Sequence, residues 1–235
     1  MQGVELKNSY VKINQLYTLM KITWAGQACF HIVASNSKEH SSTIVIDPFS
    51  EIGLKMPSLD AEIVLVSHQH EDHNNVQAIK GTPFVIEGPG EYEVNGVFIT
   101  GISSFHDEKE GKERGMNTIY TLEAEGMRIC HLGDLGQKEL TDEQLEKIGA
   151  VDILMIPIGG TYTIDGTQAI KVIGQIEPKV VIPMHYALPK LKFKLDEADK
   201  FLKSMGKTPQ AQDKLTIKQS LLPKEGQTEV VILTP

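Results

Sequence analysis

The chain has 235 residues, of which 40% are hydrophobic and 23% charged, a balance that excludes a disordered chain and leaves room for a sizeable core. Its formal net charge of -8 argues against nucleic acid as a main partner, because phosphate binding leaves a basic footprint. Cys29 and Cys130 are the only cysteines, which excludes a disulfide framework, and no apolar run is long enough to span a bilayer.

Residues 1–19, "MQGVELKNSYVKINQLYTL", lack a signal-peptide core and read as an N-terminal extension. A single domain is expected over 20–235. Its first half reads as β: "KITW" and "CFHIVA" flank a Gly turn, "STIVIDPF" ends in an Asp-Pro turn, and "AEIVLVSH" is a β-branched run. "TPFVIE", the Asn-Gly hairpin "GPGEYEVNGVFITGI" and the pair inside "NTIYTLEAEGMRICHLGDLG" follow. The second half alternates. Helices are expected in "TDEQLEKIG", capped by Thr141 or Asp142, in "DGTQAIKVIGQIEP", capped by Asp165, and in "LDEADKFLKSMG". Strands are expected in "VDILMIPIGG", "KVVIPMHY" and "TEVVILTP". Strands followed by strand–helix units predict a layered α/β domain.

The densest chemistry lies in "SHQHEDHNN", residues 67–75, on the loop after the strand "IVLVS". His68 and His70, at i and i+2 on extended backbone, can converge on one cation, and Asp72 and His73 can serve a second. Further donors should also fall at strand ends, where functional groups are displayed. His106 follows "VFITGI", Asp134 ends "ICHLGD", and His185 ends "VVIPMH". His31, His40 and His131 read as structural or solvated.

This combination resembles the metallo-β-lactamase superfamily. Within it the chain looks most like the small bacterial group related to ascorbate-6-phosphate lactonase, through "WAGQACFHI", "VIDPF", "GPGEYEVNGV", "HLGDLG", "PIGGTYTID" and "VIPMHY". The resemblance implies a four-layer αββα sandwich with metals at the sheet edge. It implies that His68, His70 and His106 hold a first ion, that Asp72, His73 and His185 hold a second, and that Asp134 bridges them. Asp47 in "VIDPF" would orient ligands rather than bind metal; a plain Asp-Pro turn is the competing reading. Diiron oxygen-reducing members carry Glu where this chain has His70, and many lactamases carry Cys where it has Asp134. Both departures point to hydrolysis of something other than a lactam.

Two divalent ions, zinc or manganese with iron as a third choice, would lower the pKa of a bridging water from about 15.7 to about 7. The hydroxide so formed would attack a small ester, lactone or phosphorylated metabolite, with Asp72 orienting it and taking its proton. Tyr162 and Tyr186 are candidate oxyanion donors, with amphipathic packing as the alternative for both. Arg114, in the charged stretch "HDEKEGKERGMN", either meets an anionic substrate group or sits on a solvated hairpin tip. The alternatives to a small-molecule hydrolase are a phosphodiesterase or nuclease on the same site and a non-catalytic metal-binding protein. A cytoplasmic protein with no membrane partner is expected, with a dimer as the default assembly.

Overall fold

A computed structural model describes residues 19–35 and 41–235. Five strands come first: β1 (Met20–Gly26), β2 (Cys29–Ser35), β3 (Ser41–Ile46), β4 (Ile63–Leu65) and β5 (Phe84–Ile86). Four more run as a meander: β6 (Gly90–Val94), β7 (Val97–Phe105), β8 (Met116–Ala124) and β9 (Met127–His131). Then α1 (Asp142–Ile148), β10 (Ile153–Pro157), α2 (Gly166–Ile176), β11 (Val180–Met184) and α3 (Ala198–Ser204) alternate, before the short β12 (Leu215–Ile217) and β13 (Glu229–Val230).

They form two sheets, in the orders β12-β1-β2-β3-β4-β5 and β13-β11-β10-β9-β8-β7-β6. Side chains of a strand alternate between faces. On β3, Ile44 and Ile46 enter the core between the sheets, while Val45 faces a separate outer cluster with Val64, Phe49 and Ile52. Strand β10, "ILMIP", is buried throughout, because its sheet is covered on both sides. Helix α2 packs on β10 and α1 on β7. On the first sheet the outer layer is lean. Among the described residues it is built from the loop around Phe49–Leu59, a 3-10 turn at Val76–Ala78, and Leu191 and Phe193. No described helix is long and apolar enough to cross a membrane.

The expected helix caps are present. Thr141 accepts the Gln144 N–H while the Gln144 side chain returns to Thr141, and Asp165 accepts from Thr167 and Gln168. The hairpin turn Asn95-Gly96 takes positive φ at both residues, as a type I′ turn requires. Two elements are shorter than the sequence reading. The run 228–235 pairs with β11 only at Glu229 and Val230, because Ile232 and Thr234 hydrogen-bond Gln212 instead. The helix expected from Leu195 starts at Ala198, since the Asp196 backbone is bonded to Gly159 and Ala187.

Strand direction positions the site. Strands β9, β10, β11 and β13 are parallel, and β7 runs with β9 because each is antiparallel to β8. The carboxyl ends of β7, β9 and β11 therefore open onto one edge of the second sheet, as in other sheets whose sites lie beyond the strand ends. The loop after β4 meets them there: the Thr118 N–H donates to Ser67 O at 2.9 Å, and the Tyr120 hydroxyl donates to Val66 O at 2.9 Å.

Candidate metal centre

The loop after β4 is fixed by one buried carboxylate. Asp47, at the end of β3 with φ 48°, accepts the Ser67 N–H on Oδ1 (2.7 Å) and the Ser67 hydroxyl on Oδ2 (2.7 Å). The same Oδ2 accepts from His73 Nδ1 at 3.0 Å. Ser67 has given its single hydroxyl proton to Asp47, so it accepts from His68 Nδ1 at 2.9 Å. This network gives the Nδ1 proton to both rings, so that Nε2 of the neutral ring turns its lone pair toward the cluster. Both Nε2 atoms are buried and neither has a hydrogen-bond partner.

Three other strands deliver the remaining groups. His106 follows β7, Asp134 follows β9, and His185 follows β11 with φ 50°, its N–H donating to Gln27 O at 3.0 Å. Donor atoms of His68, His70 and His106 lie within 4.8 Å of one another, and so do those of Asp72, His73, Asp134 and His185. Each group takes side chains from both sheets. Asp134 Oδ2 joins them: it lies 3.2 Å from Nε2 of His73 and of His185, and 3.6 Å from His106 Nε2. His70 is exposed and Asp72 half-buried; the other five are buried.

Two glycines make the close approach feasible. A Cβ on Gly136 would stand 2.3 Å from the His106 carbonyl carbon, and one on Gly159 would stand 2.1 Å from the His185 carbonyl oxygen. Around the donors sit residues the sequence did not single out. Asn117 accepts the Asp134 N–H (2.9 Å) and donates to Ser104 Oγ (2.7 Å) and Leu132 O (2.9 Å). Gln27, fully buried in the β1–β2 turn, donates from Nε2 to Asp72 Oδ2 at 3.0 Å. The "WAGQACFHI" match pointed to the segment, but nothing local marks Gln27 as reaching 45 residues along the chain.

The electrostatics favour cations. Burial pushes Asp134 up, but His185 and His73 outweigh it and hold its carboxyl well below the usual range. Burial likewise opposes ionisation of Asp72, yet His73 holds it at about 2. Burial, reinforced by the charge of His73, lowers His68 to about 3, and burial lowers His106. For His73 burial pulls down, while Asp134 and Asp47 outweigh it and raise the ring well above its ordinary value. Ionised carboxylates set among imidazole nitrogens favour positive charge at this point, which a proton on His73 or a metal ion can supply. Six of the eight orphaned buried side-chain atoms among the described residues lie on these donors: His68 Nε2, His73 Nε2, His106 Nδ1, Asp134 Oδ1 and both ring nitrogens of His185; the other two are Gln27 Oε1 and His31 Nε2. Buried polar atoms are ordinarily paired, so a concentration of orphans on one donor set fits divalent metal.

A cleft of 290 Å³ opens beside the cluster, lined by His70, Asp72, His106 and Asp134 together with Tyr162 and Arg114. Tyr162 is thus brought to the site. Tyr186 is not: it is 7% exposed, packs on Trp24 with ring centroids 5.0 Å apart, and burial pushes its phenol to about 12. The oxyanion role expected for it gives way to packing. Arg114 is no free hairpin tip; its guanidinium lies 4.7 Å over the Tyr162 ring centroid. His131 is structural, buried between Ala28 O (2.9 Å) and the Gly133 N–H (3.1 Å). His31 sits on β2 outside both donor groups, and His40 lies outside the described residues. Cys29 and Cys130 are buried free thiols.

The beta-lactamase superfamily domain matches residues 21–185 of the chain. A metal-dependent hydrolase of Thermococcus onnurineus is 29% identical over 196 residues, covering 72% of this chain and 85% of that protein. One from Thermoplasma acidophilum is 30% identical over 201 residues, covering 71% and 83%. In three dimensions the chain is similar to a metallo-beta-lactamase superfamily protein of Thermotoga maritima, with a TM-score of 0.74, 40% identity, and coverage of 92% of this chain and 100% of that one.

Proposed function

The chain belongs to the metallo-β-lactamase superfamily and is a metal-dependent hydrolase, and on that premise we propose that it cleaves a small ester, lactone or phosphorylated metabolite at a centre for two divalent ions. In this reading His68, His70 and His106 would hold one ion, Asp72, His73 and His185 would hold the other, and Asp134 would serve as a donor within reach of both groups. The observation that carries it is the position of Asp134 Oδ2, 3.2 Å from His73 and His185 and 3.6 Å from His106. One carboxylate oxygen of the second donor group thus also reaches a member of the first. Zinc is the default for so many imidazoles, and the carboxylates admit manganese or iron.

When bound, such ions supply Lewis acidity and a water acidified to about pKa 7. The protein supplies the rest. Asp72 is ionised at neutral pH, tethered by Gln27, and its side chain is 25% exposed. A carboxylate held at about 2 stores a proton poorly. Its role is therefore to orient the attacking water and pass the proton on to solvent. Tyr162 faces the cleft and offers its phenol to the developing oxyanion. Glu51 and Glu71 on the rim disfavour a long polyanion, which supports a small substrate over a nucleic-acid strand. Because both sheets feed each donor group, residues 20–235 act in this reading as one domain.

The test is metal analysis of gently purified protein, followed by a screen of lactones, thioesters, phosphomonoesters and phosphodiesters with His68→Ala as background. Metal-dependent turnover of at least one class is expected. Bound metal with no turnover across the panel would sink the reading in favour of a non-catalytic metal protein. An Asp72→Asn variant with full metal content and full turnover would remove Asp72 from the mechanism.

A further inference from the structure

The cleft beside the metal donors is lined by acids, imidazoles, aromatic rings, Ser50 and Ile52, and by a single strong base. Arg114 is the one lysine or arginine among its lining residues, which include Glu51 and Glu71. Its loop delivers it there. Asp107 directly follows His106, and its carboxylate accepts four backbone N–H groups. Oδ1 takes those of Lys109 (2.7 Å) and Gly111 (3.0 Å), and Oδ2 takes those of Glu113 (3.0 Å) and Arg114 (2.8 Å). Residues 107–114 are thereby closed into a tight turn anchored beside a candidate metal donor. The Arg114 side chain leaves this turn and lies on the Tyr162 ring, which Phe193 meets edge-on at 5.8 Å.

Arg128, elsewhere on the same sheet, is ion-paired with Glu123. Arg114 has no such partner: among the described residues no carboxylate pairs with its guanidinium. A guanidinium stacked on a ring keeps its edge free, and that edge presents paired donors matched to a carboxylate or phosphate. An anion approaching this cleft meets Glu51, Glu71 and Asp72, so Arg114 is the lining side chain that can offset their repulsion locally.

We propose that Arg114 is the substrate's anion anchor, binding a carboxylate or phosphate group while the Tyr162 and Phe193 rings form the apolar wall beside it. The proposal rests on the hydrolase reading above for the position of the scissile bond. It narrows the substrate class to anionic metabolites and makes Arg114 a specificity residue rather than a surface charge.

The experiment uses the metal-loaded full chain and three matched aryl acetates. These are 4-acetoxybenzamide (neutral), 4-acetoxybenzoate (carboxylate) and (4-acetoxybenzyl)phosphonate (tetrahedral anion). In each, water adds to the acetyl carbon and the ester C–O bond breaks, giving acetate and the phenol. Comparing each substrate between wild type and Arg114→Gln cancels differences in leaving group. The substitution is expected to lower kcat/KM for at least one anion by about 10- to 100-fold more than for the amide, mainly through KM. Arg114→Lys should recover part of the loss, and the carboxylate and phosphonate arms identify which anion the anchor takes. Equal effects on all three substrates, or none, overturn the proposal. If wild type cleaves none of them, the hydrolase reading is decided by the wider panel above, and binding decides the anchor. Calorimetric titration of 4-hydroxybenzoate and (4-hydroxybenzyl)phosphonate should then show binding that Arg114→Gln weakens by the same factor. Equal affinity in both proteins, or no binding, overturns it.

Discussion

Asp47 and His73 meet in a 3.0 Å hydrogen bond between two fully buried side chains. The bond holds a proton on His73 Nδ1 and so makes Nε2 the nitrogen free to bind a metal, and the Ser67 hydroxyl on the same oxygen extends that control to His68. Asp47 holds one member of each donor group in its ligand tautomer without belonging to either. Asp47→Asn is therefore expected to weaken metal binding by about 10- to 100-fold while leaving every donor in place. Chelator competition measures this directly. Unchanged affinity would reduce Asp47 to the Asp-Pro turn residue that its sequence context also allows.

The position of Asp134 leads to a stoichiometric prediction. His70 belongs to one donor group, whereas Asp134 Oδ2 approaches His106 of the first and both His73 and His185 of the second. His70→Ala should lower bound metal by one equivalent after dialysis, and Asp134→Ala should weaken both sites. Elemental analysis of the two variants beside wild type decides it. Equal loss in both variants would mean that the two groups do not share a donor.

The seven candidate donors were legible because metal chemistry restricts ligands to a few residue types, and each stood where an apolar run ended. What surrounds them was not legible. Gln27, Asn117 and Arg114 act across the fold, through approaches set by turn geometry that no local pattern records. Arg114 stood in a charge-rich stretch, and only the four N–H bonds to Asp107 reveal that the stretch turns back on the cleft. Tyr186 misled through adjacency. Neighbouring residues at a strand end point to opposite sides, so the residue after His185 enters the core against Trp24. The long C-terminal run looked like one strand, yet Gln212 takes over its hydrogen bonds after Val231.

Glycine spacing offers a test of how tightly the site is built. Gly136→Ala would place a Cβ 2.3 Å from the His106 carbonyl carbon and 2.4 Å from Asp107 N, both backbone atoms that cannot swing away. The expected result is a loss of about 1–3 kcal/mol in stability together with loosened metal at the His106 group. Gly174→Ala is the counterpart: Gly174 lies in α2 with nothing within 4 Å of its would-be Cβ. That change should stabilise by roughly 0.5–1 kcal/mol and leave metal content alone. Urea unfolding of both variants, with metal analysis, gives the comparison. A Gly136→Ala protein of wild-type stability would show that the loop has slack.

The two thiols predict how stability responds to alkali. Burial pushes Cys130 far above its ordinary value, and burial with Asp47 nearby does the same to Cys29. Below the unfolded-state thiol pKa of about 8.5 both states hold the proton and the thiols contribute no slope. Above it the unfolded chain releases protons that the folded one keeps, so stability falls as pH rises, by up to about 1.4 kcal/mol per pH unit for each thiol. Cys130→Ala should begin less stable, because it leaves a cavity, and should then decline less steeply between pH 8.5 and pH 10 by about that amount per unit. Urea titrations across this range at fixed metal concentration measure both slopes. Parallel curves would mean that the Cys130 thiol ionises in the folded protein, which its complete burial on β9 in the core opposes.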